Sequence, residues 1–378
     1  MGQWRSLAIG CLTALILFIA GCDFDPSEPI EGDLLHIPYQ PESVTLTAPE
    51  TYPELEIPGD NPLTQEGIKL GRKLFFDPIV SRDSSLSCSS CHQPDKSFTD
   101  GLATSPGVDK INGRRSAMSL LDIGFQNRGL FWDGRSPSLE IQAFLPVEDP
   151  VEMHFQWPGV VERLKRHRDY PMEFRKAFGI PDVDSITKFL AVKAIAQFER
   201  TLISSGKSKY DLAITPGSGV FFSESELRGF EMFFDRSGGR LPDAECFHCH
   251  NAPLMSSLDF FNNGIQSVRA GQVFDDNGLG EVTGNQAQNG MFKAPSLRNI
   301  VMTAPYMHDG RFSSLEQVID HYDSGGFPSD NKNPFIRKLG LTPQQKSDLL
   351  AFLHTLTDSS FTNNASFRSP FYFFLLKF

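Results

Sequence analysis

Cys88-Ser89-Ser90-Cys91-His92 and Cys246-Phe247-His248-Cys249-His250 are the two stretches on which the reading of this chain turns. In each, two thiols stand three positions apart and a histidine directly follows the second. A Cys-x-x-Cys pair alone would suit a disulfide, thiol redox chemistry or half of a zinc site. The histidine after both pairs selects a different chemistry, because C-x-x-C-H is the attachment site of c-type haem. Two thiols add across the porphyrin vinyl groups, and the next residue stands under the iron as its proximal ligand. Cys88, Cys91, Cys246 and Cys249 are therefore assigned as attachment thiols, and His92 and His250 as iron ligands, for two c-type haems.

The two motifs lie in repeated sequence. Leu74-Phe75-Phe76-Asp77 precedes the first and Met232-Phe233-Phe234-Asp235 the second, both at the same offset of 158 residues as the cysteines. Gly71 and Gly229 match at that offset too. A second echo pairs Asp133-Gly134-Arg135 and Ser138-Leu139-Glu140 with Asp309-Gly310-Arg311 and Ser314-Leu315-Glu316, now at an offset of 176, so the halves differ by inserted loop length. Repetition of this kind implies two copies of one structural unit.

The local patterns are helical. Thr64 caps a run with Ile68, Leu70, Leu74 and Phe75 on one period, and Ser223 opens the equivalent run with Leu227, Phe230, Met232 and Phe234. Ile186 to Leu202 reads as a helix with Phe189, Leu190, Ile195, Phe198 and Leu202 on one face. Thr342-Pro343 starts a last helix carrying Leu349, Leu350, Leu353 and Leu356. Strand alternation is scarce. The expected fold is mainly α, with two tandem cytochrome-c-like domains, each holding one covalent haem, over residues 61–210 and 211–378. The 31 glycines and 26 prolines fall largely in long connections, as expected where loops wrap cofactors.

The 378 residues, 40% apolar and 21% charged, describe a globular protein of about two domains at ~150 residues each. The formal charge of −11 speaks against nucleic acid as the main partner and suits a basic protein partner. Arg5 followed by the apolar run Leu7 to Ala20 reads as a signal peptide over residues 1–21. Cys22 directly after Ala20-Gly21 reads as a lipidation site, which would anchor the chain without a spanning helix on the periplasmic side of a bacterial membrane. Residues 22–60 read as a Pro- and acid-rich tether. The apolar tail Phe371 to Leu376 is too short to span a bilayer.

Further strings give the chain a resemblance. Leu70-Gly71-Arg72-Lys73-Leu74-Phe75-Phe76-Asp77, Ser97-Phe98-Thr99-Asp100-Gly101, Phe131-Trp132-Asp133-Gly134-Arg135, Pro150-Val151-Glu152-Met153 and Ala304-Pro305-Tyr306-Met307-His308-Asp309-Gly310 occur in this order. Together they resemble the bacterial di-haem cytochrome c peroxidases and the related MauG enzymes, over about residues 60 to 356. The resemblance implies a peroxide site at the N-terminal haem and an electron-transfer site at the C-terminal haem. It implies Glu152 as the carboxylate that moves the peroxide proton, Gln142 as the distal amide and Trp132 as the relay between haems. It implies a sixth ligand at Tyr322, with His321, Met302 and Met307 as competitors, and a Ca²⁺ held by the carbonyls of Thr303 and Pro305. Ser116 stands where the family's calcium-binding Asn would be.

Two departures carry weight. Many relatives place a histidine in the loop after the first haem motif, capping the peroxide iron; here no histidine occurs between His92 and His154. The second is Tyr322 where peroxidases often have a methionine. The expected activity is reduction of hydrogen peroxide to water with electrons from a small cytochrome c or cupredoxin, with room for a homodimer. The rivals are a MauG-like oxidant of a partner protein and an electron carrier without catalysis.

Overall fold

Side-chain caps set where the chain turns into helix. In the computed structural model, which describes residues 32–269 and 272–371, seven longer helices carry the fold: α1 (Gln65–Phe76), α2 (Trp157–Arg166), α3 (Tyr170–Phe178), α4 (Lys188–Arg200), α5 (Glu224–Phe233), α6 (Leu315–Ser324) and α7 (Pro343–His354). The signal segment, Cys22 and the tail beyond Phe371 lie outside the described residues. The Thr64 hydroxyl accepts from the Gly67 amide at the head of α1. Ser223 and Glu226 at α5, and Thr342 and Gln345 at α7, exchange side-chain and backbone bonds as capping boxes. The one sheet among the described residues pairs β1 (Phe260–Phe261) with β2 (Phe292–Lys293), antiparallel, with Phe260 opposite Lys293.

Two hydrophobic cores result. The first joins Leu70, Leu74 and Phe75 of α1 to Ile195 and Phe198 of α4, with Trp157, Val160 and Phe174 from α2 and α3 behind them. The second joins Met232 and Phe233 of α5 to Leu349 and Phe352 of α7, with Leu315 and Ile319 of α6 and Tyr210. Each buried Phe or Leu contributes roughly 1.5–3 kcal/mol. Many of the 33 phenylalanines meet edge to face in these cores, as Phe75 does with Phe198 and Phe234 with Phe352.

The duplication is visible in three dimensions. In both halves a glycine at the helix crossing, Gly71 in α1 and Gly229 in α5, lets the partner helix backbone approach directly. The paired Asp-Gly-Arg turns are closed alike, by a bridge between Leu130 and Ser136 in the first half and between Tyr306 and Phe312 in the second. Gly134 and Gly310 take φ of 75° and 65° there, a conformation that favours glycine. Ser138 and Ser314 then cap the next helical turn.

Three expectations are corrected. Phe189 is 59% exposed and leans on Phe144 at the surface, so it is not part of the buried face of α4. From Asp33 onward the segment read as tether is packed: Leu34 bonds the Pro181 carbonyl and is fully buried, and Tyr52 is buried. The division at residue 211 is also not clean, since Phe361 and Phe367 return to the first core and Arg72 bonds the Arg368 and Ala365 carbonyls. No helix among the described residues is long and apolar enough to cross a membrane.

Candidate active site

Each Cys-x-x-Cys-His loop is a short helical turn, Cys88–Cys91 and Cys246–His248. The four thiols are not in disulfides. Burial pushes Cys91 and Cys249 up to about 11 and Cys246 up to about 12, with Cys88 higher still, so none is a poised thiolate for redox exchange. Among the described residues the two pairs do not converge, which removes a shared zinc site.

The histidines are prepared identically. His92 Nδ1 lies 2.9 Å from the Phe98 carbonyl, and His250 Nδ1 lies 3.0 Å from the Pro295 carbonyl. A carbonyl only accepts, so each Nδ1 carries the proton and each Nε2 keeps its lone pair for a metal. Burial lowers His92 below the ordinary imidazole range and His250 to about 4, so both stay neutral, as a ligand must. An imidazole with its free Nε2 beside two thiols fits a c-type haem at both places.

Near the first loop stands Glu152, the residue the resemblance implies as the acid. Glu152 is half-buried in the turn after Pro150, and its carboxyl has no hydrogen-bond partner among the described residues. Burial, and then Asp149, push it up to about 7, with Arg135 pulling the other way. Its charge bears on the thiols of both Cys88 and Cys91. The loop that lacks a histidine docks on this turn: Val108 N–H donates to the Glu152 carbonyl at 2.8 Å, and a side chain at Gly107 would strike the Val151 and Glu152 carbonyls. His154, the next histidine, pairs outward with Asp109. Gln142 ends the short helix Leu139–Gln142, half-buried, its amide unbonded among the described residues.

At the second loop, an apolar cavity is lined by Cys246, Cys249 and His250 together with Tyr322, Met307, Thr303 and Pro305. Trp132 of the first half also lines it. The Trp132 indole N–H donates to the Ser116 carbonyl at 3.0 Å, and its backbone carbonyl accepts from Lys293 N–H at 2.8 Å, so the residue is held from both halves. Tyr322 reaches the cavity with its phenol 3.4 Å from Asn263 Nδ2, and burial pushes it up to about 12. His321 turns away, its Nε2 against the Asn263 carbonyl at 3.0 Å, and neither it nor Met302 is on the cavity wall. His248 pairs with Glu245 and stacks on Phe335. At the expected calcium position the Ser116 hydroxyl donates to the Met307 carbonyl, so a shell of six to eight oxygens would need several waters beside the two carbonyls. Asn263, which holds both Tyr322 and His321, and Lys293, a buried cation on the cavity wall, escaped the sequence reading. Neither belongs to a spaced motif.

A mainly helical fold presenting two Cys-x-x-Cys-His loops, each with its imidazole oriented for axial ligation, defines the class of multihaem c-type cytochromes. Residues 65–217 match the model of the di-haem cytochrome c peroxidase family. The chain is 36% identical over 310 residues to the methylamine utilization protein MauG of Methylorubrum extorquens, covering 82% of each chain. It is 34% identical to the cytochrome c551 peroxidase of Nitrosomonas europaea, over 76% of this chain and 79% of that one. Among solved structures it superposes on a MauG-like protein associated with microbial copper homeostasis with TM-score 0.79 at 34% identity, over 87% of this chain and 99% of that one. The chain belongs to the di-haem cytochrome c peroxidase family, whose cofactor is haem.

Proposed function

We propose that this protein reduces hydrogen peroxide to water at the N-terminal haem, with electrons delivered by a small cytochrome c or cupredoxin through the C-terminal haem. Cys88, Cys91 and His92 would hold the first haem, and Cys246, Cys249, His250 and Tyr322 the second. When bound, the haems supply the iron that holds peroxide and the two electrons that O–O cleavage takes up. Glu152 would take the proton from one peroxide oxygen and return it to the other. Gln142 orients the peroxide through its unbonded amide. Trp132 stands between the halves as the electron relay. The observation that carries this reading is the unpartnered Glu152 carboxyl, held near neutrality beside the first thiol pair. The loop on Glu152 brings no imidazole to the site, which supports an N-terminal iron open in the oxidised protein. Steady-state peroxide consumption with a reduced cytochrome c tests the reading. Turnover that collapses in Glu152→Gln, with two haems retained, supports it; absence of turnover in the wild type overturns it in favour of a plain carrier.

Tyr322 favours a second reading. A phenolate is a hard anionic donor that stabilises ferric iron relative to a methionine ligand. A C-terminal haem so held suits an oxidant acting on a partner protein, as in a MauG-like enzyme. Such a protein reacts quickly with peroxide yet oxidises cytochrome c poorly. In either case Cys22 would tether the chain by lipid to the periplasmic side of its membrane, which globomycin-sensitive processing and a Cys22→Ser variant test.

A further inference from the structure

Lys293 is 3% exposed, at the end of β2. Its ammonium bonds the Gly129 carbonyl and, at 3.2 Å, Gln126 Oε1, and no carboxylate pairs with it among the described residues. The carboxylates that bear on it or share its cavity are engaged elsewhere: Asp133 by Arg115 and Arg135, and Glu245 by Arg337 and His248. Burial accordingly pulls the lysine down to about 8, with Asp133 opposing. A buried ammonium facing only neutral acceptors is an electrostatic cost, and it calls for an anion.

The position names the anion's chemistry. Among the described residues, Lys293 is the one lysine or arginine on the wall of the cavity that holds Cys246, Cys249, His250 and Tyr322. The other basic group there besides the ligand histidine is His308, which stacks flat on Phe292 and is kept neutral by burial. A haem fastened by its vinyl edge to two cysteines carries two carboxylates on its other edge. Those carboxylates need a cation in a mostly apolar cavity whose one wall carboxylate among the described residues, Glu245, is already paired. Lys293 N–H also bonds the Trp132 carbonyl, so the same residue touches the expected electron path.

We propose that Lys293 is a positioning residue for the C-terminal haem: its ammonium receives a haem propionate beside Trp132 and sets that haem's redox equilibrium. The inference rests on the two-haem reading given above. Ferric haem carries one more positive charge than ferrous, so a fixed cation favours the ferrous form.

Optical spectroelectrochemistry of the holoprotein tests this, with the pyridine haemochrome count read alongside. In Lys293→Met the ferric-to-ferrous ratio of the C-terminal haem at a given potential should rise roughly tenfold, a lowering of about 59 mV for one electron. The N-terminal haem should move much less. Lys293→Gln, which can still donate toward Gly129, should shift the same way and covers a Met variant that folds poorly. Lys293→Arg, which keeps the charge, should stay close to wild type. Neutral variants that carry two haems with unmoved potentials overturn the proposal, as does an Arg variant that shifts as far as Met. A wild-type count below two haems overturns the two-haem reading and this proposal with it.

Discussion

Gly71 of α1 lies so close to Ala194 of α4 that a Cβ on it would stand 1.8 Å from the Ala194 carbonyl oxygen. Gly229 of α5 repeats the relationship in the second half, where a Cβ would stand 2.0 Å from the Asp348 carbonyl oxygen of α7. Both neighbours are helix backbone, which cannot swing aside as a flexible side chain would. Each crossing therefore depends on a missing methyl group. Gly71→Ala and Gly229→Ala should each cost about 3 kcal/mol or more, the upper range for overpacking a tight contact. Thermal unfolding of the two variants checks this, each expected to melt several degrees below wild type.

The Glu152 carboxyl should impose a pH profile on the peroxide reaction. As the proposed base, it must be ionised to accept the first proton. With the group held at about 7, the second-order rate constant with peroxide should fall about tenfold per unit below that pH and level off above it. Glu152→Gln should flatten the profile and lower the plateau by roughly 10²–10⁴-fold. Stopped-flow mixing with peroxide from pH 5 to 9 reads both effects.

Why the Cys-x-x-Cys-His loops and the helices are legible in the sequence, and other parts are not, follows from how far each signal reaches along the chain. The haem loops announce themselves because thiol spacing and the following histidine are local constraints. α1 and α5 were readable because cap, period and glycine recur at one offset. Phe189 was misplaced because it is adjacent to Leu190, and neighbours on a helix cannot share a face. Leu34, Phe361 and Phe367 sit in short irregular segments whose burial is decided by distant partners such as Pro181 and Phe98, and no periodicity reveals that. Asn263 and Lys293 were invisible for the same reason. Each gains its role from residues far away in sequence, Tyr322 for one and Gly129 and Trp132 for the other.

Arg115 and Asp276 should make the junction between halves acid-sensitive. Arg115 reaches Asp133 of its own half and pairs with Asp276 at 2.7 Å, with both side chains largely buried. Burial pulls Asp276 upward, yet the Arg115 hydrogen bonds and charge hold it down to about 2. A carboxylate lowered in the folded state stabilises it above the unfolded pKa, near 4, and that contribution drains away as pH falls toward 2. Discounted for partial solvent access, the pair contributes about 1–2 kcal/mol at neutral pH. Asp276→Asn should lower the urea midpoint at pH 7 accordingly and remove this part of the acid dependence. Urea titrations at pH 7, 4 and 3 followed by tryptophan fluorescence measure it.

Tyr322 offers the sharpest test of what the second haem is for. Its phenol enters the cavity of His250, Asn263 Nδ2 meets the phenol oxygen, and burial keeps the free group protonated up to about 12. A ferric iron bound close by would offset that penalty on the phenolate, and ligation and oxidation state would then be coupled through this one proton. Tyr322→Met replaces a hard anion by a soft neutral sulfur and should raise the potential of the C-terminal haem. Tyr322→Phe removes the donor while keeping the ring, and should leave the oxidised C-terminal haem high-spin unless Met307, also on the wall, moves in. Low-temperature EPR separates these states. A donor-dependent peroxidase should keep or gain cytochrome turnover in the Met variant, because a higher potential eases electron entry. An oxidant built to hold its equivalents on the ferric side for a protein substrate should lose that capacity in the same variant, while its first reaction with peroxide at the Glu152 site stays unchanged.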